Sequence, residues 1–190
     1  MLGVAGHRAR AHRRHRGRLR AARAAAAHVG HPARRAVTLA RRLVARLTER
    51  GQTVATAESL TAGLVCVTLT EVPGASAVVR GGLVVYATEL KARLAGVDRA
   101  LLAEHGAVHP EVAAQLAEGA RECCGADWGL GLTGVAGPDP QDGVVPGTVH
   151  IGLAGAGVRD VRTHWFEGDR RSVRTESVRA ALLLLGEHLA

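Results

Sequence analysis

Residues 53–63 read Thr-Val-Ala-Thr-Ala-Glu-Ser-Leu-Thr-Ala-Gly. Val54, Ala55 and Ala57 form a short apolar run with the character of a buried strand, and residues Leu60 to Leu69 have the pattern of a helix. The passage from one to the other falls at Glu58-Ser59, so Ser59 is expected at a helix N-terminus. A serine there has two readings. It is an N-cap whose hydroxyl accepts from the free amides of the first turn. Alternatively it is a nucleophile, with those amides and the positive helix end stabilising an alkoxide and a developing oxyanion. Capping serines are far commoner, so the choice between them rests on a partner elsewhere in the chain.

Outward from this stretch, helices and strands interleave. Before it, Val37, Ala40, Leu43, Val44 and Leu47 recur at helical spacing, with Gly51 placed to end the helix. After it, Val72-Pro73-Gly74 is a stop, and the β-branched run 77–86 reads as a strand with a bulge or close approach at Gly81-Gly82. Short helices are expected over Thr88–Leu94 and from Asp98 to His105. A longer one begins at Pro110, a favoured first helical residue, and runs to about Cys124. Trp128–Thr133 reads as a strand, 134–147 as a Gly/Pro/Asp loop, and 148–153 with 158–166 as a hairpin. An amphipathic helix over 170–189 closes the chain. This order implies an α/β class with a mixed sheet, the last two strands being antiparallel neighbours.

Composition sets the boundaries of that domain. The chain has 190 residues, 47% hydrophobic and poor in aromatics, enough for one core of small aliphatic side chains. Its net charge of +8 belongs to one end. Residues 1–35 hold ten arginines, five histidines and no acid, which leaves residues 36–190 with a net charge of −2. The first 35 residues therefore read as a basic, disordered arm ahead of a single domain over 36–190. Such an arm can make weak, non-specific contacts to nucleic-acid phosphates. It has no aromatics to stack on bases and no recognisable nucleic-acid module, so a dispensable extension is the preferred reading.

No run approaches the roughly 18 apolar residues of a membrane span. Cys66, Cys123 and Cys124 fit neither a disulfide framework nor a zinc site, and with no signal-peptide core the expected location is the cytoplasm. No histidine or cysteine cluster has metal-ligand spacing, so no metal and no cofactor is expected. A homo-oligomer is one reading of an assembly state that the residues leave open.

The partner for Ser59 is Lys91, the one lysine among 25 strongly basic residues. Arginine serves wherever a fixed charge suffices. A lysine kept in such a background fits a place where an amine must give up its proton. Tyr86, also unique, precedes it by five residues at the end of a strand. A lysine whose pKa is lowered by burial can take the serine proton, and the serine then attacks a carbonyl. The loop Thr133-Gly134-Val135-Ala136-Gly137-Pro138-Asp139 leaves a strand end, where open α/β sheets place ligands. Its glycines let backbone amides approach a phosphate or carbonyl oxygen.

Taken together, Thr56-Ala57-Glu58-Ser59-Leu60-Thr61-Ala62-Gly63, Tyr86-Ala87-Thr88-Glu89-Leu90-Lys91, His105-Gly106-Ala107-Val108, Thr133–Pro138, Pro146-Gly147-Thr148-Val149 and Phe166-Glu167-Gly168-Asp169-Arg170 stand in the order of the CinA C-terminal domain family. The resemblance covers about residues 37–189. It implies a three-layer α/β/α fold and the activity of the family's nicotinamide-nucleotide amidohydrolases, which convert nicotinamide mononucleotide and water to nicotinic acid mononucleotide and ammonia. By the same resemblance Ser59 is the nucleophile, Lys91 its base and Tyr86 a third member of the site. The resemblance further implies that Glu58, Leu60, Thr61, Thr133, Gly134 and Gly137 bind the pyridine nucleotide. The chain departs from the family pattern at Leu60, Ala62 and His109, and loop 138–146 lacks the usual Gly-Gly after its aspartate. A catalytically silent nucleotide-binding module on the same fold is the alternative that these departures keep in view.

Overall fold

Alternation along the strands assigns each side chain to one face of the sheet. The structure is a computed structural model that describes the backbone from Gly30 and side chains from Ala36. The basic arm therefore lies outside the described residues, apart from its last six, which begin helix α1.

Five strands, β1 (Val54–Glu58), β2 (Val79–Val84), β3 (Trp128–Gly134), β4 (Thr148–Gly155) and β5 (Val158–Trp165), form one sheet in the order β2-β1-β3-β4-β5. β1 is parallel to both β2 and β3, whereas β3–β4 and β4–β5 are antiparallel, so the sheet is mixed as expected. The helices of the described residues are α1 (Gly30–Arg50), α2 (Leu64–Thr70), α3 (Thr88–Ala95), α4 (Arg99–His105), α5 (Pro110–Cys124) and α6 (Arg170–His188).

On one face Leu130, Leu132 and Ile151 of the sheet bury against Leu43 and Leu47 of α1, Leu69 of α2, and Leu182 and Leu185 of α6. On the other, Ala55 and Ala57 meet Val112, Leu116 and Ala120 of α5, with Ala95 of α3 beside them. Each fully buried leucine contributes roughly 1.5–3 kcal/mol. Helices on both faces make the three layers. α5 lies unusually close to the sheet. A Cβ on Gly131 or on Gly152 would overlap the Ala113 carbonyl of that helix, so these two strand positions must be glycine.

One boundary differs from expectation, and it matters for the site. Helix α2 starts at Leu64, not at Leu60, and Ser59–Gly63 is a turn. Ala62 (φ 51°) and Gly63 (φ 93°) take left-handed conformations that a helix cannot include. The amides at the helix start are taken by a carboxylate reaching up from the end of β1, as described below. Among the described residues no helix is long and apolar enough to cross a membrane.

Candidate active site

Parallel pairing brings the ends of β1 and β2 to the same edge of the sheet. Glu58 is in register with Val84, and the Val85 amide donates to the Glu58 carbonyl at 2.9 Å. The chain leaving β2 therefore passes directly beside Ser59 before it enters α3. Lys91, on the second turn of that helix, points back beneath the strand ends and is only 1% exposed. Its Nζ stands 3.1 Å from Ser59 Oγ. It also donates to the carbonyls of Val85 at 2.9 Å and Tyr86 at 3.3 Å. No carboxylate pairs with it among the described residues. Burial pushes the Lys91 ammonium down to about 8, against the pull of Glu89 and Asp142, whose charges favour the protonated form.

Ser59, 9% exposed, opens onto a cleft of about 470 Å³. Leu60, Tyr86, Ala87 and Thr88 line one side, and Gly134 to Gly137 with Asp139 to Gln141 line the other. Arg170 is the one cation in this lining. It bridges the two sides, with Nη1 donating to the Gly137 carbonyl at 3.0 Å and Nη2 to the Tyr86 hydroxyl at 2.8 Å. The amides of Ala136 and Gly137 donate to no group among the described residues.

Ser59, Leu60, Tyr86, Gly134 and Gly137 thus share the cleft, and Lys91 stands behind its serine. Glu58, Thr61 and Thr133 stand in the wall and do not line it. Thr133 is buried, and its hydroxyl donates to the Ala107 carbonyl at 2.6 Å, tying the loop after α4 to β3. Thr61 is fully buried and holds the one buried side-chain polar atom without a hydrogen-bond partner among the described residues, its hydroxyl.

Glu58 is fully buried and acts as an internal cap. Its Oε1 accepts from the Thr56 hydroxyl at 3.1 Å and the Cys66 amide at 2.9 Å. Its Oε2 accepts from the amides of Gly63 at 3.0 Å and Val65 at 3.1 Å. A carboxylate, not the serine, thereby satisfies the start of α2 and meets its positive end. Burial and the neighbouring Glu58 charge push the Cys66 thiol up, which leaves it a poor nucleophile. His109 caps α5, its Nδ1 accepting from the Glu111 amide, and stacks on His105 at 4.6 Å. Among the described residues no group of three or more His, Cys, Asp or Glu is placed to hold a metal ion.

Arg170 closes the Phe166–Arg170 motif at the start of the last helix, where a solvated face is the plainer reading of the sequence, and Arg174 carries little signal at all. Both sit on a helix rich in arginine, and only the fold shows which of them turn toward Ser59 and its cleft.

Comparison with known proteins agrees with this architecture. The CinA-like protein of Frankia casuarinae is 51% identical over 144 residues, 76% of this chain and 33% of that protein. The chain spans about a third of the length of the curated relatives it matches. Among solved structures, a competence/damage inducible protein from Agrobacterium tumefaciens superposes with a TM-score of 0.77 at 34% identity, covering 80% of this chain and 94% of that one. The competence or damage-inducible protein from Enterobacter asburiae gives 0.79 at 31% identity, covering 82% and 98%. The profile of the CinA C-terminal domain matches residues 36–189, and the chain belongs to that family.

Proposed function

We propose that this domain is an amidohydrolase that converts nicotinamide mononucleotide and water to nicotinic acid mononucleotide and ammonia through a Ser59–Lys91 dyad. The approach of the buried Lys91 Nζ to Ser59 Oγ carries the reading. A neutral amine has two N–H bonds and one lone pair. The Val85 and Tyr86 carbonyls accept the two N–H bonds, which leaves the lone pair for the Ser59 hydroxyl. That orientation suits a general base.

In the forward step Ser59 Oγ bonds to the carboxamide carbon while its proton passes to Lys91. The tetrahedral intermediate collapses as the C–N bond breaks, and Lys91 returns the proton to the departing nitrogen, which leaves as ammonia. Water then attacks the acyl-enzyme, giving its proton to Lys91, and the proton returns to Ser59 as the ester bond breaks. The Leu60 amide follows the nucleophile in the chain, has no acceptor among the described residues, and would serve as main-chain donor for the oxyanion. Arg170 supports an anionic substrate, because it is the cation in the cleft lining and a nucleotide phosphate is its natural complement. The pyridine nucleotide itself is proposed from the family resemblance.

Ammonia release from nicotinamide mononucleotide tests the proposal. Ser59→Ala and Lys91→Met are each expected to lower kcat by about 10³ or more. Equal rates for the wild type and Ser59→Ala would leave a silent nucleotide-binding module on the same fold.

A further inference from the structure

Arg174 stands one helical turn beyond Arg170 on α6 and pairs with no carboxylate among the described residues. Its guanidinium is committed to main chain. Nε donates to the Leu60 carbonyl at 2.9 Å and Nη2 to the Thr61 carbonyl at 3.0 Å. Both carbonyls belong to the turn that follows Ser59. From the opposite direction the Glu58 carboxylate collects the amides of Gly63, Val65 and Cys66. A cation thus holds the carbonyls of this turn, and an anion holds the amides that come after it.

Two amides are left over. Ala62 closes the turn by donating to the Ser59 carbonyl at 3.0 Å, while the Leu60 and Thr61 amides have no acceptor among the described residues. Leu60 lines the cleft beside Ser59. Two successive carbonyls gripped by one planar fork fix the rotation of the peptides on either side of Thr61, and with it the path of the turn. The Leu60 amide belongs to the preceding peptide, whose Ser59 carbonyl accepts from Ala62, so Arg174 acts on it through the path of the turn and not by direct polarisation.

We infer that Arg174 is a positioning residue: its grip on the Leu60 and Thr61 carbonyls holds the turn so that Ser59 Oγ and the Leu60 amide address the same reacting centre, the amide serving as oxyanion donor. The inference rests on Ser59 being the nucleophile of the proposed reaction. Lysine is no substitute, because a point charge cannot hold two carbonyls in one plane as the fork does.

A fluorophosphonate probe tests this without reference to the natural substrate. The bond from Ser59 Oγ to phosphorus forms, the P–F bond breaks to release fluoride, the hydroxyl proton passes to Lys91, and the phosphoryl oxygen takes the oxyanion position. Wild type is expected to label at Ser59. Arg174→Met is expected to label about 100-fold more slowly, in the range for loss of an oxyanion donor. Arg174→Lys should fall between them. Arg179→Met, five residues further on and paired with Glu176, should label like wild type. In Arg174→Ala, added guanidinium ion should recover part of the rate, and kcat for amide hydrolysis should fall with KM changed less than about threefold.

Equal labelling of Arg174→Met and wild type would overturn the inference. So would a slowed variant that guanidinium does not rescue and whose loss tracks a lowered unfolding midpoint. If wild type labels at Ser59 yet releases no ammonia from nicotinamide mononucleotide, the substrate is wrong and the labelling comparison still decides the role of Arg174. If wild type does not label at Ser59, both the nucleophile assignment and this inference are lost.

Discussion

Lys91 Nζ lies 3.1 Å from Ser59 Oγ although 32 positions separate the two residues. The parallel register of β1 and β2 makes the meeting. It ends both strands at one edge, so α3, which follows β2 almost at once, lays its second turn under the residue that follows β1. An antiparallel pairing of the same two strands would put these groups at opposite ends of the sheet.

Because burial brings Lys91 down to about 8, only a minority of molecules hold the neutral amine at pH 7. The value of kcat/KM is expected to rise with pH, with an inflection near that value, and to level off above it. Lys91→Arg should stay inactive across the range, since a guanidinium never becomes a base. A pH profile that is flat from 6 to 9.5 in the wild type would dismiss Lys91 as the proton acceptor (a test range of about one to two units on either side).

The same lowered pKa makes a prediction for stability, and its sign is opposite to that of a paired lysine. Below about pH 8 both folded and unfolded chains hold the proton, and the fold bears the full cost of a buried ammonium. Between about 8 and the ordinary value of 10.5 the unfolded chain keeps a proton that the folded one has released, so stability rises with pH. Urea unfolding of wild type and Lys91→Met at pH 7.5 and 10.5 should show the wild type gaining about 3 kcal/mol relative to the variant (roughly 1.4 kcal/mol for each pH unit separating the two values).

Glu58→Gln keeps the shape of the internal cap and removes its charge. One oxygen becomes an NH2 group facing donors, either the Thr56 hydroxyl and Cys66 amide or the Gly63 and Val65 amides. The expected loss is about 2–4 kcal/mol in urea unfolding, because buried donors are left unmatched and the helix end loses its anion. A loss below about 0.5 kcal/mol would show that the carboxylate is not what starts α2.

Gly152→Ala should destabilise by more than about 3 kcal/mol, since the added methyl meets the Ala113 carbonyl in the close contact between α5 and the sheet. Gly157→Ala, in the open hairpin turn with φ +72°, meets no atom within 4 Å and should cost only about 1–2 kcal/mol of backbone strain. Thermal unfolding of the two variants separates packing from backbone strain.

Much of the fold, and the two residues at the centre of the candidate site, are legible from the residues alone. Capping and turn residues mark most elements: Asp98 and Pro110 begin helices α4 and α5, and Gly155 to Gly157 turn the hairpin. Ser59 and Lys91 stand out because one lies between apolar segments and the other is chemically alone in the sequence. The start of α2 departs from its local pattern, which favours a serine cap, because the group that caps it is a carboxylate reaching from inside a strand. Arg170 and Arg174 bond to carbonyls of distant segments, 33 and 114 positions away for Gly137 and Leu60. Nothing in residue type or spacing records which carbonyl a guanidinium will grip.

Concealment of the single lysine has a practical side. With Lys91 at 1% exposure, the folded domain offers amine-directed acylating or cross-linking reagents no side-chain target. Reaction at that position therefore reports opening of the chain, and slow acylation of Lys91 would serve as a label-based clock for how often the region around Ser59 comes apart.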